Sequence, residues 1–300
     1  MNTAPLLRGE LRVKEAMSRH VSWRAGGPAD RFYRPADVAD LAEFLRRLPP
    51  DEPILWLGLG SNLLVRDGGI RGTVIALHGV MDHITDLADG RLRVESGVHC
   101  ARLAKYCAQH NLAGAVFFAG IPGTVGGALA MNAGAFRGET WRQVEAVEIL
   151  HRDGRLETLP ASAFQTGYRS VIGPAPNICF IAAEMRFSPN DKAMGQAEIR
   201  DMLAERKSKQ PVGQPSCGSV FRNPPDDYAA RLIEVAGLKG YRIGDAIVSD
   251  KHANFILNIN EARANDIEAL LRHVQATVKQ RFDIELEPEV RIVGELGSKG

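Results

Sequence analysis

The chain of 300 residues reads as an α+β fold. Two observations predict that class. Helical and strand-like segments come in mixed order, and strands outnumber what regular βα repeats would supply. The glycine-rich segment after the first strand-like run, Gly58-Leu-Gly60-Ser61-Asn62, lacks the third glycine and the amphipathic helix of a doubly wound nucleotide fold.

The elements fall into three consecutive segments, 1–78, 79–190 and 191–300. In the first, Asp37 can cap a helix carrying Val38, Leu41, Phe44, Leu45 and Leu48 at helical spacing, and Pro49-Pro50 ends it. A strand is predicted over Ile54–Gly58, and Val65 starts another short apolar run. In the second segment Leu92, Val94, Ser96 and Val98 alternate like a strand with one inward face. A helix is predicted from Ala101 to Asn111, then a glycine-rich stretch, then strands over Val144–Leu150 and Cys179–Phe187 with a hairpin signal at Asp153-Gly154. The third segment reads as helices over Glu198–Lys207 and Asp227–Ala236, the latter closed by Gly237. Asn265 with Glu268 predicts a capping-box start to a helix bearing Ile267, Leu270, Leu271, Val274 and Val278. A strand over Ile284–Ile292 closes the chain.

Composition removes several function classes. Lysine and arginine total 37 against 36 aspartate and glutamate, so no overall field draws the protein to nucleic acid or to a membrane surface. No stretch approaches the ~18 apolar residues of a membrane span, and charges from Arg8 to Glu15 interrupt any leader-like core. Cys100, Cys107, Cys179 and Cys217 show no CxxC spacing, and the histidines form no HExxH or HxxxH pair. The expectation is reduced thiols in a cytoplasmic protein, with no metal site and no obligate protein partner evident.

Two segments point to an anion. In the first, Gly58 and Gly60 can expose backbone N–H groups, and Ser61 and Asn62 add side-chain hydrogen-bonding groups; alone, a plain tight turn explains it as well. The second, GIPGTVGGALAMNAGA at 120–135, concentrates small residues whose exposed N–H groups can surround a pyrophosphate without a lysine. A close-packed core crossing is its alternative explanation. Two such segments favour a dinucleotide, and the missing GxxxxGK[ST] lysine disfavours a nucleotide hydrolase.

Further motifs run in order along the chain: VSWRAGGPA at 21–29, GLGSNLLV at 58–65, the 120–135 segment, GYRS at 167–170, PSCGSVFRNP at 215–224, KHANFI at 251–256 and LEPEVR at 286–291. Together they resemble the UDP-N-acetylenolpyruvoylglucosamine reductase family from about Val21 to Gly294. The resemblance implies non-covalent FAD on a two-part domain of the vanillyl-alcohol-oxidase (PCMH) type, 1–78 and 79–190, with a C-terminal α+β domain, 191–300, for a UDP-sugar. It implies NADPH as reductant, hydride transfer from flavin N5 to C3 of an enolpyruvyl group, and a product, UDP-N-acetylmuramate, that feeds peptidoglycan synthesis. By the same resemblance, flavin contacts fall on Gly58, Gly60, Ser61, Asn62, Ile121, Pro122, Gly123, Gly126 and Gly127.

Three residues match the family's reacting groups. Arg169 suits a carboxylate and a developing enolate, because a guanidinium binds such groups bidentately. Glu289 acts with it by hydrogen bonding or protonation, and Ser219 donates a proton to C2. Lys209, Asn223 and Arg291 are candidates for substrate contacts, with Arg206 and Lys207 as alternatives to Lys209. Tyr168 reads as a core aromatic or a flavin-pocket residue, and His252 as a core or hydrogen-bonding histidine. The family's longer form carries a tyrosine-bearing loop. Here only Ser188–Lys192 separates a strand from the next helix, which assigns the chain to the shorter form. Two alternatives stay open: another flavin enzyme with the same FAD-binding domain, and a nucleotide-binding regulatory protein without chemistry.

Overall fold

The computed structural model describes residues 6–189 and 192–297, with side chains described throughout except at 192–194. The chain forms two compact units, each discontinuous in sequence. The first contains the chain up to Arg12, Phe32–Gly58 and Thr73–Ala204; the second contains Val13–Arg31, Leu59–Gly72 and the chain from Glu205 onward. The α+β class predicted from the sequence is what the structure shows.

The first unit is built on a five-stranded antiparallel sheet in the order Leu156–Pro160, Val144–Leu150, Cys179–Arg186, Arg91–Glu95, Ile84–Asp86. Its inward face carries Leu92 and Val94 from the alternating set read from the sequence; Ser96 and Val98 are also buried but lie just past the strand's end at Glu95. Helix α2, Cys100–Gln109, covers that face with Leu103 and Ala104. A second apolar cluster joins helix α1, Val38–Arg47, to a parallel strand pair, Ile54–Leu57 beside Thr73–Ala76. Asp37 caps α1 as its sequence predicts, accepting the Asp40 N–H at 2.9 Å. Asp153-Gly154 forms the hairpin turn, with Gly154 at φ +78°.

The second unit packs Trp23, Leu64, Val220, Phe221, Leu232 and the apolar stripe of helix α6, Ala264–Phe282, into one core. Trp23 donates its indole N–H to Ile256 O at 2.8 Å, and Asn258 donates to Trp23 O at 2.9 Å. These bonds tie the VSWRAGGPA motif to residues more than two hundred positions later. Helix α5, Ala229–Val235, ends with Gly237 at φ +75°. Gly237 N–H meets Glu234 O and Leu238 N–H meets Ile233 O, the paired bonds of a glycine-terminated helix.

Three boundaries differ from the sequence reading. The capping box at Asn265 and Glu268 does not form. Asp67 caps α6 from afar, accepting the N–H groups of Ala264 (3.1 Å) and Asn265 (2.9 Å), while Asp266 accepts from Arg263 N–H. Glu268 is instead buried and takes a two-bond ion pair from Arg66, at 2.8 and 3.0 Å. The closing strand shrinks to Arg291–Val293, parallel to Leu63–Val65, because Pro288 has no N–H to give to a ladder. Helix α4 extends over Lys192–Lys209, well beyond Glu198–Lys207. Of the short connection at 188–192, residues 190 and 191 lie outside the described residues.

Candidate active site

The glycine-rich segment of the first unit wraps the short helix α3, Val125–Ala130. Thr124 caps it, accepting the Gly127 N–H at 3.4 Å. The N–H groups of Val125 and Gly126 donate to Val98 O and Ser96 O, both at 2.8 Å. These donors therefore hold the segment to its own sheet, so fewer N–H groups face outward than the composition suggests. Close packing explains two glycines. A Cβ on Gly126 would sit 2.8 Å from the Ser96 Cβ, and one on Gly58 would sit 2.7 Å from Thr124 Oγ1. The two glycine-rich segments thus meet at Gly58 and Thr124.

Gly127 is different. It is exposed, and a Cβ there would have one neighbour within 4 Å among the described residues, Thr124 Oγ1 at 3.8 Å. Glycine in a helix costs about 0.5–1 kcal/mol against alanine, and packing within the chain does not offset that cost. Space left open beside a helical turn fits a bulky group approaching the backbone, as FAD would. Ile121, Pro122 and Gly123 are partly or fully exposed next to it.

The tail of the same segment holds Arg169. Asn132 is 3% exposed with φ +45°; its amide donates to Gly167 O at 3.0 Å and accepts from Trp141 N–H at 3.1 Å. Gly167 ends one strand of the hairpin Gln165–Gly167 and Ser170–Ile172. Arg169 sits at its turn with φ +54°, unusual for a residue bearing a side chain. Its guanidinium donates to Gly134 O at 3.1 Å and lies 5.6 Å from the centre of the Tyr168 ring. Tyr168 is 56% exposed, so it is not a core aromatic.

The remaining candidate reacting residues, Ser219 and Glu289, belong to the second unit. Gly60 adopts φ +60°, and a Cβ on it would lie 2.2 Å from His20 O, which only glycine permits. Ser61 follows it, half-buried. Asn62 turns its amide to the protein: it donates to Glu289 O at 3.1 Å, and its own carbonyl accepts Arg291 N–H at 3.1 Å. Asn62 therefore brackets Glu289. Ser219 follows Gly218, which has φ +80°, and precedes a short ladder. Glu289 N–H donates to Val220 O at 2.8 Å, Arg222 N–H donates to Glu287 O at 2.9 Å, and Phe221 bridges Pro288. Ser219 and Glu289, 70 positions apart, are thus carried on adjoining backbone. Both are half-buried. Burial, and then the Glu289 carboxylate, push the Cys217 thiol well up.

The three candidate substrate contacts are dispersed within this unit. Asn223 accepts Ala229 N–H at 3.1 Å, capping α5. Arg291 is exposed on the strand that follows Glu289. Lys209 pairs across one helical turn with Glu205 at 2.6 Å on an exposed face. Arg206 is half-buried, its pKa lowered by desolvation, and donates to Gln210 at 3.0 Å. Two residues that sequence reasoning missed hold the others: Asn132 and Asn254. Asn254 lies in the KHANFI motif, and both ends of its amide bind Phe221.

Comparisons with known proteins identify the family. A family model described as FAD binding domain matches residues 29–160, and one described as UDP-N-acetylenolpyruvoylglucosamine reductase, C-terminal domain, matches 210–293. The chain is 57% identical over 290 residues to the UDP-N-acetylenolpyruvoylglucosamine reductase of Alkalilimnicola ehrlichii, covering 97% of each chain. It is 53% identical over 293 residues to that of Methylococcus capsulatus, covering 98% of this chain and 96% of the relative. The crystal structure of the reductase from Thermus caldophilus superposes with a TM-score of 0.81 at 32% identity, covering 96% of this chain and 99% of that one. The chain therefore belongs to the UDP-N-acetylenolpyruvoylglucosamine reductase family of FAD-dependent oxidoreductases.

Proposed function

We propose that the protein reduces the enolpyruvyl group of UDP-N-acetylglucosamine enolpyruvate to give UDP-N-acetylmuramate, with NADPH as reductant, in peptidoglycan precursor synthesis. The observation that supports this most is the Val220–Glu289 backbone bond, which makes neighbours of a hydroxyl-bearing and a carboxyl-bearing residue in a chain with an FAD-binding domain. FAD, once bound and reduced by NADPH, would supply the hydride that adds to C3. Negative charge then develops next to the substrate carboxylate. Ser219 gives C2 its proton, a weak acid suited to a strongly basic carbon. Glu289 hydrogen-bonds or protonates the enolate, and Arg169 binds the carboxylate bidentately.

Gly58, Gly60, Ser61, Asn62, Ile121, Pro122, Gly123, Gly126 and Gly127 belong to the proposed flavin cradle. Within it Gly126, Gly58 and Gly60 act by permitting close packing, and Gly127 by leaving room. Lys209, Asn223 and Arg291 are proposed contacts for the UDP-sugar. The same proposal assigns 1–78 and 79–190 to the flavin and 191–300 to the sugar. It also places the protein in the cytoplasm, in keeping with four buried free thiols; Cys100 and Cys107 are each pushed up to about 12 by burial. No helix among the described residues is long and apolar enough to cross a membrane.

The test uses the purified holoenzyme in two steps. NADPH should bleach the flavin absorbance, and the enolpyruvyl UDP-sugar should then restore it. A flavin that NADPH reduces but the sugar leaves reduced overturns the proposal in favour of another flavin enzyme on the same FAD-binding domain.

A further inference from the structure

We propose that Asn254 is a positioning residue for proton transfer, fixing Ser219 through the peptide that follows it; this rests on the function proposed above. Asn254 is 4% exposed, in the turn between the strands Ala246–Val248 and Ile256–Asn258. Three hydrogen bonds run from this one residue to the dipeptide after Ser219. Its backbone carbonyl accepts Val220 N–H at 2.9 Å, its Oδ1 accepts Phe221 N–H at 3.0 Å, and its Nδ2 donates to Phe221 O at 2.8 Å. One amide side chain therefore takes the place of a neighbouring β-strand.

The opposite edge of that dipeptide is where Glu289 binds. Val220 donates to Asn254 on one side and accepts from Glu289 N–H on the other. Asn254 thus holds Val220, which links the backbone beside Ser219 to that of Glu289. Before Ser219 the chain turns at Gly218, which has φ +80° and, among the described residues, nothing within 4 Å of where its Cβ would lie. The crowding that fixes Ser219 lies on its C-terminal side, where the three bonds are. A shift of about 1 Å in a reacting group can cost about a hundredfold in rate, so a clamp two residues away is close enough to matter. Asn254 itself touches neither Ser219's hydroxyl nor the Glu289 carboxylate in any bond described.

The experiment separates the two half-reactions in Asn254→Asp and in Asn254→Ser. The aspartate keeps the acceptor for Phe221 N–H and sets an oxygen against Phe221 O; the serine leaves room for water. Reoxidation of reduced flavin at saturating enolpyruvyl UDP-sugar should slow at least about tenfold, while NADPH reduction and the sugar's Kd, read from the flavin spectrum, stay within about threefold. Added to Ser219→Ala, the Asn254→Asp change should slow reoxidation by less than about twofold more, because the residue through which it acts is gone. Equal slowing of both half-reactions, full additivity with Ser219→Ala, or loss of FAD from both variants would make Asn254 merely structural and overturn the proposal. Wild-type flavin that the sugar does not reoxidise is a different result, which removes the proposed function and this role together.

Discussion

The Arg169 hairpin and the bridged segments carrying Ser219 and Glu289 hold the proposed reacting groups in opposite ways. The hairpin strand Gln165–Gly167 is exposed along its length, and the turn is tethered by the Asn132–Gly167 and Arg169–Gly134 bonds. The segment Val220–Arg222 after Ser219 is gripped on both sides, by Asn254 on one and by Glu287 and Glu289 on the other, and its Val220 and Phe221 are buried. A long cation binding a carboxylate tolerates adjustment, since its attraction falls off slowly with distance. A proton donor does not, because transfer needs hydrogen-bond contact with the receiving carbon. Under the proposed roles, the difference in scaffolding matches the difference in tolerance.

The largest expected effect is on the rigid side. Ser219→Ala should slow flavin reoxidation by the enolpyruvyl UDP-sugar about 10²–10⁴-fold, the usual range for a lost general acid, and leave NADPH reduction near wild type. Stopped-flow absorbance measures both, and comparable losses in both would contradict the proton-donor role. On the tethered side, Arg169→Lys keeps the charge but removes the bidentate fork and the bond to Gly134 O. The same assay should show about a hundredfold loss in reoxidation. A loss below about threefold would mean that a point charge suffices and that the hairpin matters little.

Acid should distinguish the two regions by stability. The two bonds from Arg66, helped by Arg272, depress Glu268 to about 2. Its contribution is therefore complete above its ordinary pKa of 4.5 and is lost as pH falls from there toward 2. The loss should be on the order of 2–3 kcal/mol. Arg66 directly follows the Leu63–Val65 strand that lies beside Arg291–Val293, so this loss falls on the scaffold of Glu289. Denaturant melts from pH 6 to 3 (about three points suffice) should lose this increment in the wild type and much less of it in Glu268→Gln. Parallel curves would show that the pair does not stabilise this region.

The smallest effect is at Gly127. Gly127→Ala should raise the melting stability of the FAD-free protein by about 0.5–1 kcal/mol and weaken FAD binding about tenfold or more by titration. Unchanged FAD affinity would mean that the open space beside α3 is not where the cofactor approaches.

Much of the fold was legible because its signals are local. The Asp37 cap, the Leu92–Val94 alternation, the Asp153-Gly154 turn and the Gly237 helix end each depend on a few consecutive residues, and each forms where it was read. The start of α6 was misread because its cap comes from Asp67, about two hundred positions away. Glycines 58, 60 and 126 were read as anion donors, whereas each also answers to a neighbour that the sequence does not show: Thr124, His20 and Ser96. Asparagines 132 and 254 escaped notice because a buried amide and a surface amide look alike in sequence.

By itself the sequence determined the class of fold and the family, and it pointed to the candidate reacting residues, because ordered motifs and local periodicity carry that information along the chain. Tertiary structure alone decided what holds those residues. The bonds from Asn132 to Gly167, from Asn62 to Glu289 and from Asn254 to Phe221 join segments 35, 227 and 33 positions apart. A hydrogen bond between distant segments leaves no periodic trace, since its partner is chosen by the packing of the whole core and not by neighbours in the chain.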